Sequence, residues 1–226
     1  MRLNRTATAF LALPMALGMA RVAAAQNLTL DDFSSGPYKK RLAGGQDVAT
    51  QAGTMIGGDR LTVFSVCQAK PCGLQNPFGQ AGAFQIRAKT KFAPPALIYS
   101  AGYKVFPRLD VEYGANTPLQ LDLSRYDRLR ITFDGSDLVV NFNIVVFTPS
   151  GYRQTGCNLD PSLVPVSIDF PLADFQGKAD FSNVSAIDVI FQSGSAVGAN
   201  DWAVTSFEAI AIGEPSAGRV CHGLGT

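Results

Sequence analysis

The chain has one histidine and one tryptophan in 226 residues, and only 16% of its residues are charged. The histidine, His222, lies near the C-terminus with no Ser or Cys partner in a triad arrangement, and no nucleophile-elbow motif occurs, which argues against a serine or cysteine hydrolase. No basic patch is present. Without the three arginines before residue 26, there are 16 basic residues against 18 acidic ones, so a nucleic-acid partner is not expected. Beyond the N-terminal segment there is no apolar run of the roughly 20 residues that a membrane helix requires. Nor does any 12-residue window there show a 3.6-residue apolar period, which speaks against a helical fold. There is no internal repeat and no linker.

The first residues, MRLNRTATAFLALPMALGMARVAAAQ, pair a basic start with an apolar run from Ala9 to Ala20 and small residues at Ala23–Ala25. This is the pattern of a signal peptide cleaved after Ala25, and it predicts a secreted or periplasmic protein. All four cysteines, Cys67, Cys72, Cys157 and Cys221, lie in the exported part. An even count in an oxidising compartment reads as two disulfides. The short loop CQAKPC makes Cys67–Cys72 the local pair and leaves Cys157–Cys221 to tie the middle of the chain to its end. A zinc site built from these cysteines and His222 is the alternative, although zinc ligands usually show tighter paired spacing.

Short Val/Ile/Phe-rich pieces are separated by turn signals every ten residues or so, the signature of an all-β sandwich or barrel. The predicted strands are Arg60–Val66, a piece from Gly82, ALIYSA before Gly102, a piece from Arg108, RLRITFDG, Asp137–Thr148, Pro165–Phe175, Asn183–Gly194 and WAVTSFEAIAI ending at Ile212. In RLRITFD, Leu129, Ile131 and Phe133 face one way and Arg128, Arg130 and Thr132 the other. The preceding LDLSRYD is a corner, with Tyr126 buried and Asp122, Ser124 and Asp127 satisfying loose backbone donors. Trp202 is expected to plug the core. The domain should span residues 26–212, followed by a tail over 213–226.

Polar strand faces supply the candidate site. Arg108, Asp110 and Glu112 share a face, as do Arg128 and Arg130, Asn141 and Asn143, and Asp188 and Gln192. If these strands are neighbours, their side chains form one surface whose groups donate or accept in fixed directions, as sugar hydroxyls require. Asn is depleted in strands, so Asn141 and Asn143 call for partners. Tyr99, Tyr103 or Tyr152 could stack on a sugar ring. A simply solvated face accounts for the same pattern without a ligand.

The order DDF (Asp31–Phe33), GGDR (Gly57–Arg60), LDLSRYDRLRI, SIDFPLADF and DFSNVSAIDVIF, closed by an apolar strand, resembles the galactose-binding-like jelly-roll sandwiches of carbohydrate-binding modules and related exported bacterial proteins. The resemblance spans Leu30 to Ile212. It implies an antiparallel jelly-roll β-sandwich and a structural calcium between the first and last strands, with Asp31, Asp32 and Glu208 as ligands. Some of the resembled exported proteins carry a sorting tail, whereas the end here, GEPSAGRVCHGLGT, has neither apolar span nor basic cluster.

The resulting expectation is a non-catalytic module binding carbohydrate or an envelope or matrix component through Arg108, Asp110, Glu112, Arg130, Asn141 and Asn143, with Tyr99 or Tyr103 stacking. One alternative is a structural or assembly protein. The other is a polysaccharide-active hydrolase or lyase using Asp110 and Glu112, about 7 Å apart on a strand, near the spacing of an inverting carboxylate pair. Arg108 beside them is expected to hold both ionised, which denies them the role of general acid. N-terminal sequencing of the exported protein should begin at Gln26; a retained Met1 would show that the leader is an anchor.

Overall fold

The alternation read in RLRITFD is realised in full. In the computed structural model Leu129, Ile131 and Phe133 are each at most 1% exposed, while Arg128, Arg130 and Thr132 face outward in an eleven-residue strand. The structure describes residues 26–67, 80–91, 93–103, 105–193, 199–216 and 218–223. The expected leader, residues 1–25, and Cys72 lie outside the described residues.

The strands run in order β1 (Leu28–Asp31), β2 (Tyr38–Leu42), β3 (Gly45–Ala52), β4 (Asp59–Val66), β5 (Gly82–Arg87), β6 (Ala96–Ala101), β7 (Pro107–Tyr113), β8 (Tyr126–Ser136), β9 (Val140–Thr148), β10 (Gly151–Leu159), β11 (Val166–Pro171), β12 (Gln176–Gly177), β13 (Ala186–Ser193), β14 (Asn200–Ala211) and β15 (Arg219–Val220). The helical elements among the described residues are two single 3-10 turns, Ile56–Gly58 and Leu172–Asp174. Sheet 1 has the order β15-β11-β8-β14-β6-β5-β2, with β1 also paired to β14; sheet 2 has the order β12-β10-β9-β13-β7-β4-β3. Every pairing is antiparallel except β11 with β15. The result is the expected jelly-roll β-sandwich.

The two inner faces meet in an aromatic core. Trp202 is 3% exposed, stacks on Tyr99 at 4.6 Å and meets Phe191 at 4.6 Å. Phe142 of sheet 2 packs between Phe133 and Phe170 of sheet 1, at 5.4 Å from each. Tyr99 is fully buried and its hydroxyl donates to the Pro107 carbonyl at 2.9 Å. This corrects its expected role as a stacking platform, because the strand parity that buries Phe84 opposite it buries Tyr99 too.

The segment expected as a tail is partly built into the sandwich. β15 extends the edge of sheet 1 on β11, and Cys221 forms a disulfide with Cys157 on β10 of sheet 2. The pair ties the middle of the chain to its end, as expected, and Cys157 is a strand residue of β10. Cys67 is also disulfide-bonded, with its expected partner Cys72 outside the described residues.

At one end of the core lies a buried ion pair. Arg60 on β4 is fully buried, and its Nη1 meets Asp31 Oδ2 at the end of β1 at 2.5 Å. The Phe33 amide and the Tyr113 hydroxyl donate to the same carboxylate at 2.7 and 3.0 Å. Arg60 Nε donates to Gln51 Oε1 at 3.3 Å, and Nη2 to the carbonyls of Ser35 and Gly36 at 2.6 and 3.1 Å. Gly36 has φ +63°, and a Cβ there would lie 2.8 Å from Gln51 Cβ and 3.2 Å from the guanidinium, so only glycine fits.

This arrangement also corrects the expected calcium set. Arg60 supplies the positive charge at Asp31. Glu208 projects from the outer face of sheet 1, opposite Arg130, while Asp31 points into the core. Asp32 is exposed and accepts from the Ser34 amide at 2.9 Å. Side chains on opposite faces of one sheet cannot ligate one ion. Among the described residues no group of three acidic, His or Cys side chains is arranged to hold a metal.

Arg60→Leu should leave Asp31 buried without its cation and destabilise the fold by about 3–5 kcal/mol in urea unfolding. Adding Asp31→Leu should recover part of that loss. Full stability in the single variant would show that the pair contributes nothing.

Candidate functional site

The outer face of sheet 2 is ordered by its strand register into rows. Gln192 on β13 stands between Arg108 on β7 and Asn141 on β9, and Asn158 on β10 continues that row. In the next row Ile190 lies between Asp110 and Asn143, with Gly156 beyond. In the third, Asp188 lies between Glu112 and Val145, followed by Gln154 and then Gln176 on β12. The fourth brings Ala186 beside Phe147 and Tyr152.

Five of the expected residues, Arg108, Asp110, Glu112, Asn141 and Asn143, therefore share one face. Arg130 does not. It lies on the outer face of sheet 1, where Nε and Nη2 grip Asp169 at 2.6 and 2.9 Å; the assumption that β8 neighbours β7 or β9 placed it wrongly. Tyr99 is in the core. Tyr103 is 40% exposed in the connection from β6 to β7 and off the strand faces. Tyr152, 53% exposed, lies on the face itself and pairs with Phe147, 37% exposed, at 6.2 Å. Sequence reasoning missed Phe147, Gln154 and Gln176. The two-residue period from Asn141 and Asn143 would have found Phe147. GYRQTGCNL has too few apolar residues to announce β10, which carries Gln154.

The site's electrostatics are set by three carboxyls and one guanidinium. Arg108 Nε donates to Asp110 Oδ1 and Oδ2 at 2.7 and 3.1 Å. Arg108 does not hold Glu112 down, contrary to expectation: burial and then the charge of Asp110 push the Glu112 carboxyl up. Asp188 is pushed up to about 7, by burial first, then by Asp110 and Glu112, with Arg108 opposing. Its Oδ1 is buried without a hydrogen-bond partner. A carboxyl raised this far can carry its proton near neutral pH and then donate.

The face leads to a pocket of about 150 Å³ beside the edge of β10, lined by Asn143, Gln154, Thr155, Asp174, Gln176 and Gly223. β12 pairs only with Arg153 and Gln154, which leaves the edge of β10 open from Thr155 onward. Gly156, opposite Asn143 in register, has no side chain to cover it. Asp174 Oδ2 lies 3.0 Å from His222 Nδ1. A shallower hollow beside Tyr152 shares Gln154 and Gln176 with the pocket.

No protein-family model and no curated protein matches the chain. Among solved structures it is similar to the family 11 carbohydrate-binding module of Clostridium thermocellum in complex with a β-1,3-1,4-mixed-linked tetrasaccharide, at 13% identity and TM-score 0.42, over 84% of this chain and 98% of that one. A family 30 carbohydrate-binding module of a cellulosomal cellulase of the same organism is similar at 10% identity and TM-score 0.42, over 84% of this chain and all of that one. An agarase is similar at 14% identity and TM-score 0.43, over 81% of this chain and 26% of its own.

The raised Asp188 carboxyl sets a signed expectation. The native state holds this proton more tightly than the unfolded chain, so wild-type stability falls as pH rises from about 4 to 7 and then levels off. Asp188→Asn cannot ionise. It should match wild type near pH 4 and exceed it by about 4 kcal/mol at pH 8 in urea unfolding. An equal difference at both pH values would refute the raised carboxyl.

Proposed function

We propose that the protein is an exported carbohydrate-binding module that engages a glycan of the envelope or matrix on the outer face of sheet 2. The N-terminal pattern and the Cys157–Cys221 disulfide support export to an oxidising compartment. One observation carries the binding reading. Asn141, Asn143, Gln192 and Gln154 lie on neighbouring strands with no side-chain hydrogen bond among the described residues, next to the exposed Phe147–Tyr152 pair. Amides offer a donor and an acceptor each, which suits vicinal hydroxyls, and an exposed aromatic pair offers an apolar platform for a sugar ring.

A second reading has one observation in its favour. A carboxyl raised to about 7, with a second carboxyl, Asp110, near it and held by Arg108, is the kind of pairing that general acid catalysis of glycoside hydrolysis uses. Binding and hydrolysis separate on incubation with any polymer that binds: the module reading expects no new reducing ends, and their appearance, lost in Asp188→Asn, would replace it with a hydrolase.

A glycan array probed with wild type, Tyr152→Ala and Asn141→Ala should give hits that weaken about fivefold or more in each variant, the loss of roughly one stacking contact or hydrogen bond. No glycan hit from wild type would refute the binding function.

A further inference from the structure

Arg60, Arg108, Arg128 and Arg130 each grip an aspartate. Arg153 grips none: among the described residues it makes no ion pair and no side-chain hydrogen bond. Tyr152 points outward on β10, so Arg153 points inward, opposite the buried Val146 of β9. There its guanidinium lies 5.2 Å from the centroid of the Phe181 ring. Its Nε is buried without a partner, while Nη1 and Nη2 reach solvent from a half-buried side chain. A cation that has given up water on one side and has no anion opposite is costly. The two terminal nitrogens are the part of it that a ligand can reach.

Arg153 borders an open hollow of about 370 Å³ at the LDLSRYD corner. The buried Leu123 and Leu172 and the Phe181 ring give this hollow an apolar floor. Half-buried Tyr126 lines it too, and its hydroxyl has no hydrogen-bond partner among the described residues. The walls are tied to each other: the Leu123 amide donates to the Phe181 carbonyl at 2.7 Å, and the Tyr126 amide to the Leu123 carbonyl at 3.0 Å. The volume lies at the lower end of the roughly 300–1,000 Å³ of small-molecule sites, which suits a short sugar rather than a folded partner.

Charge decides what the hollow takes. Arg153 is the one cation among its lining residues and Asp180 the one carboxylate. Asp180 Oδ1 accepts from the Ser182 amide at 2.9 Å, and hydrogen bonds from Ser182 hold its carboxyl below the ordinary range, so it stays ionised at the rim and engaged with its own loop. One fixed negative charge beside one positive charge leaves no surplus for a phosphate dianion. A carboxylate needs only the single guanidinium, whose two terminal N–H groups match its two oxygens.

From this geometry we infer that the hollow is a second binding site, for the carboxylate of an acidic sugar, held by Arg153 and Tyr126 with the sugar ring over Leu123, Leu172 and Phe181. The inference rests on the carbohydrate reading above for the ring that carries the carboxylate. The site itself lies on the inner side of β10, away from the amide face, so the two can be tested apart.

Calorimetry on the full exported chain tests this. The probes are digalacturonate, its neutral methyl ester, glucose 6-phosphate and N-acetylalanine. Wild type should bind digalacturonate about tenfold or more tighter than each of the others. Arg153→Met, which keeps an unbranched stem on Phe181, should abolish that preference with an unfolding midpoint no lower than wild type. Tyr126→Phe should weaken digalacturonate about threefold or more; should Arg153→Met not fold, this variant decides. Tyr152→Ala should leave the preference intact. A preference retained in Arg153→Met, or none in wild type, would overturn the site and leave the sheet 2 face standing. Glucose 6-phosphate or N-acetylalanine bound as tightly as digalacturonate would overturn the acidic-sugar assignment. Glycan-array hits lost in Tyr152→Ala, with the digalacturonate preference unchanged, would confirm that the two sites are separate.

Discussion

One guanidinium sealed between the sheets is the constraint on which the rest of the structure depends. An ion without solvent costs several kcal/mol unless its partners replace water fully, and Arg60 is bonded through all three of its nitrogens. Asp31 comes from a strand of sheet 1, Arg60 and Tyr113 from strands of sheet 2. Sliding β1 past β4 by one residue would strand the charge, so the pair fixes how the sheets sit on each other. It also fixes parity. With the Tyr113 hydroxyl bonded to Asp31, β7 must turn Glu112, Asp110 and Arg108 outward, because successive side chains alternate. The polar face of sheet 2 is thereby a consequence of an ion pair on its inner side.

The two outer faces look alike in sequence and differ in how their polar atoms are used. On sheet 1, Arg128 and Arg130 converge on Asp169, fully buried, while Ser216 of the C-terminal segment donates to the same carboxylate at 2.8 Å and Thr132 meets Ser167 at 3.0 Å. Those groups are engaged with each other. On the outer face of sheet 2, among the described residues of β7, β9, β10 and β13, Arg108 and Asp110 are paired, and the amides Asn141, Asn143, Gln154 and Gln192 make no side-chain hydrogen bond. Hydrogen-bonding capacity already used within the protein is not available to a ligand, which is why the proposed binding face is that of sheet 2 and leaves out Arg130.

What could be read from the sequence followed from burial on one face only. β7, β8, β9 and β13 alternate apolar with polar, so their inward and outward residues were legible one by one: Leu109, Phe133, Phe142 and Val189 inside, Asp110, Arg130, Asn143 and Asp188 outside. β2, β3 and β10 were not legible, because YKKRL, GQDVATQA and GYRQTGCNL lie at or beside sheet edges and bury too little apolar surface to show a period. Assignment of strands to sheets was hidden as well, since pairing joins residues far apart in the chain; Arg130 and Asn141 are eleven residues apart and sit in different sheets. Asp31 was expected as a metal ligand because the resemblance implies a calcium between the first and last strands. Nothing local to it announced that the cation would be Arg60, 29 residues on.

Charge is the property that most narrows what this face can hold. Three carboxyls against one arginine would repel a polyanion if all were ionised, and the fold responds at Asp188, which desolvation and its neighbours drive toward the neutral form near physiological pH. A protonated Asp188 presents a donor where an ionised one presents only acceptors, and it lies in the same row as Glu112 and Gln154. The pocket at the edge of β10 repeats the bias at smaller scale, since amides and a hydroxyl surround its one carboxyl and no cation faces it. An uncharged partner on this sheet would meet a carboxyl driven toward neutrality in its middle and no lysine or arginine in the pocket at its edge.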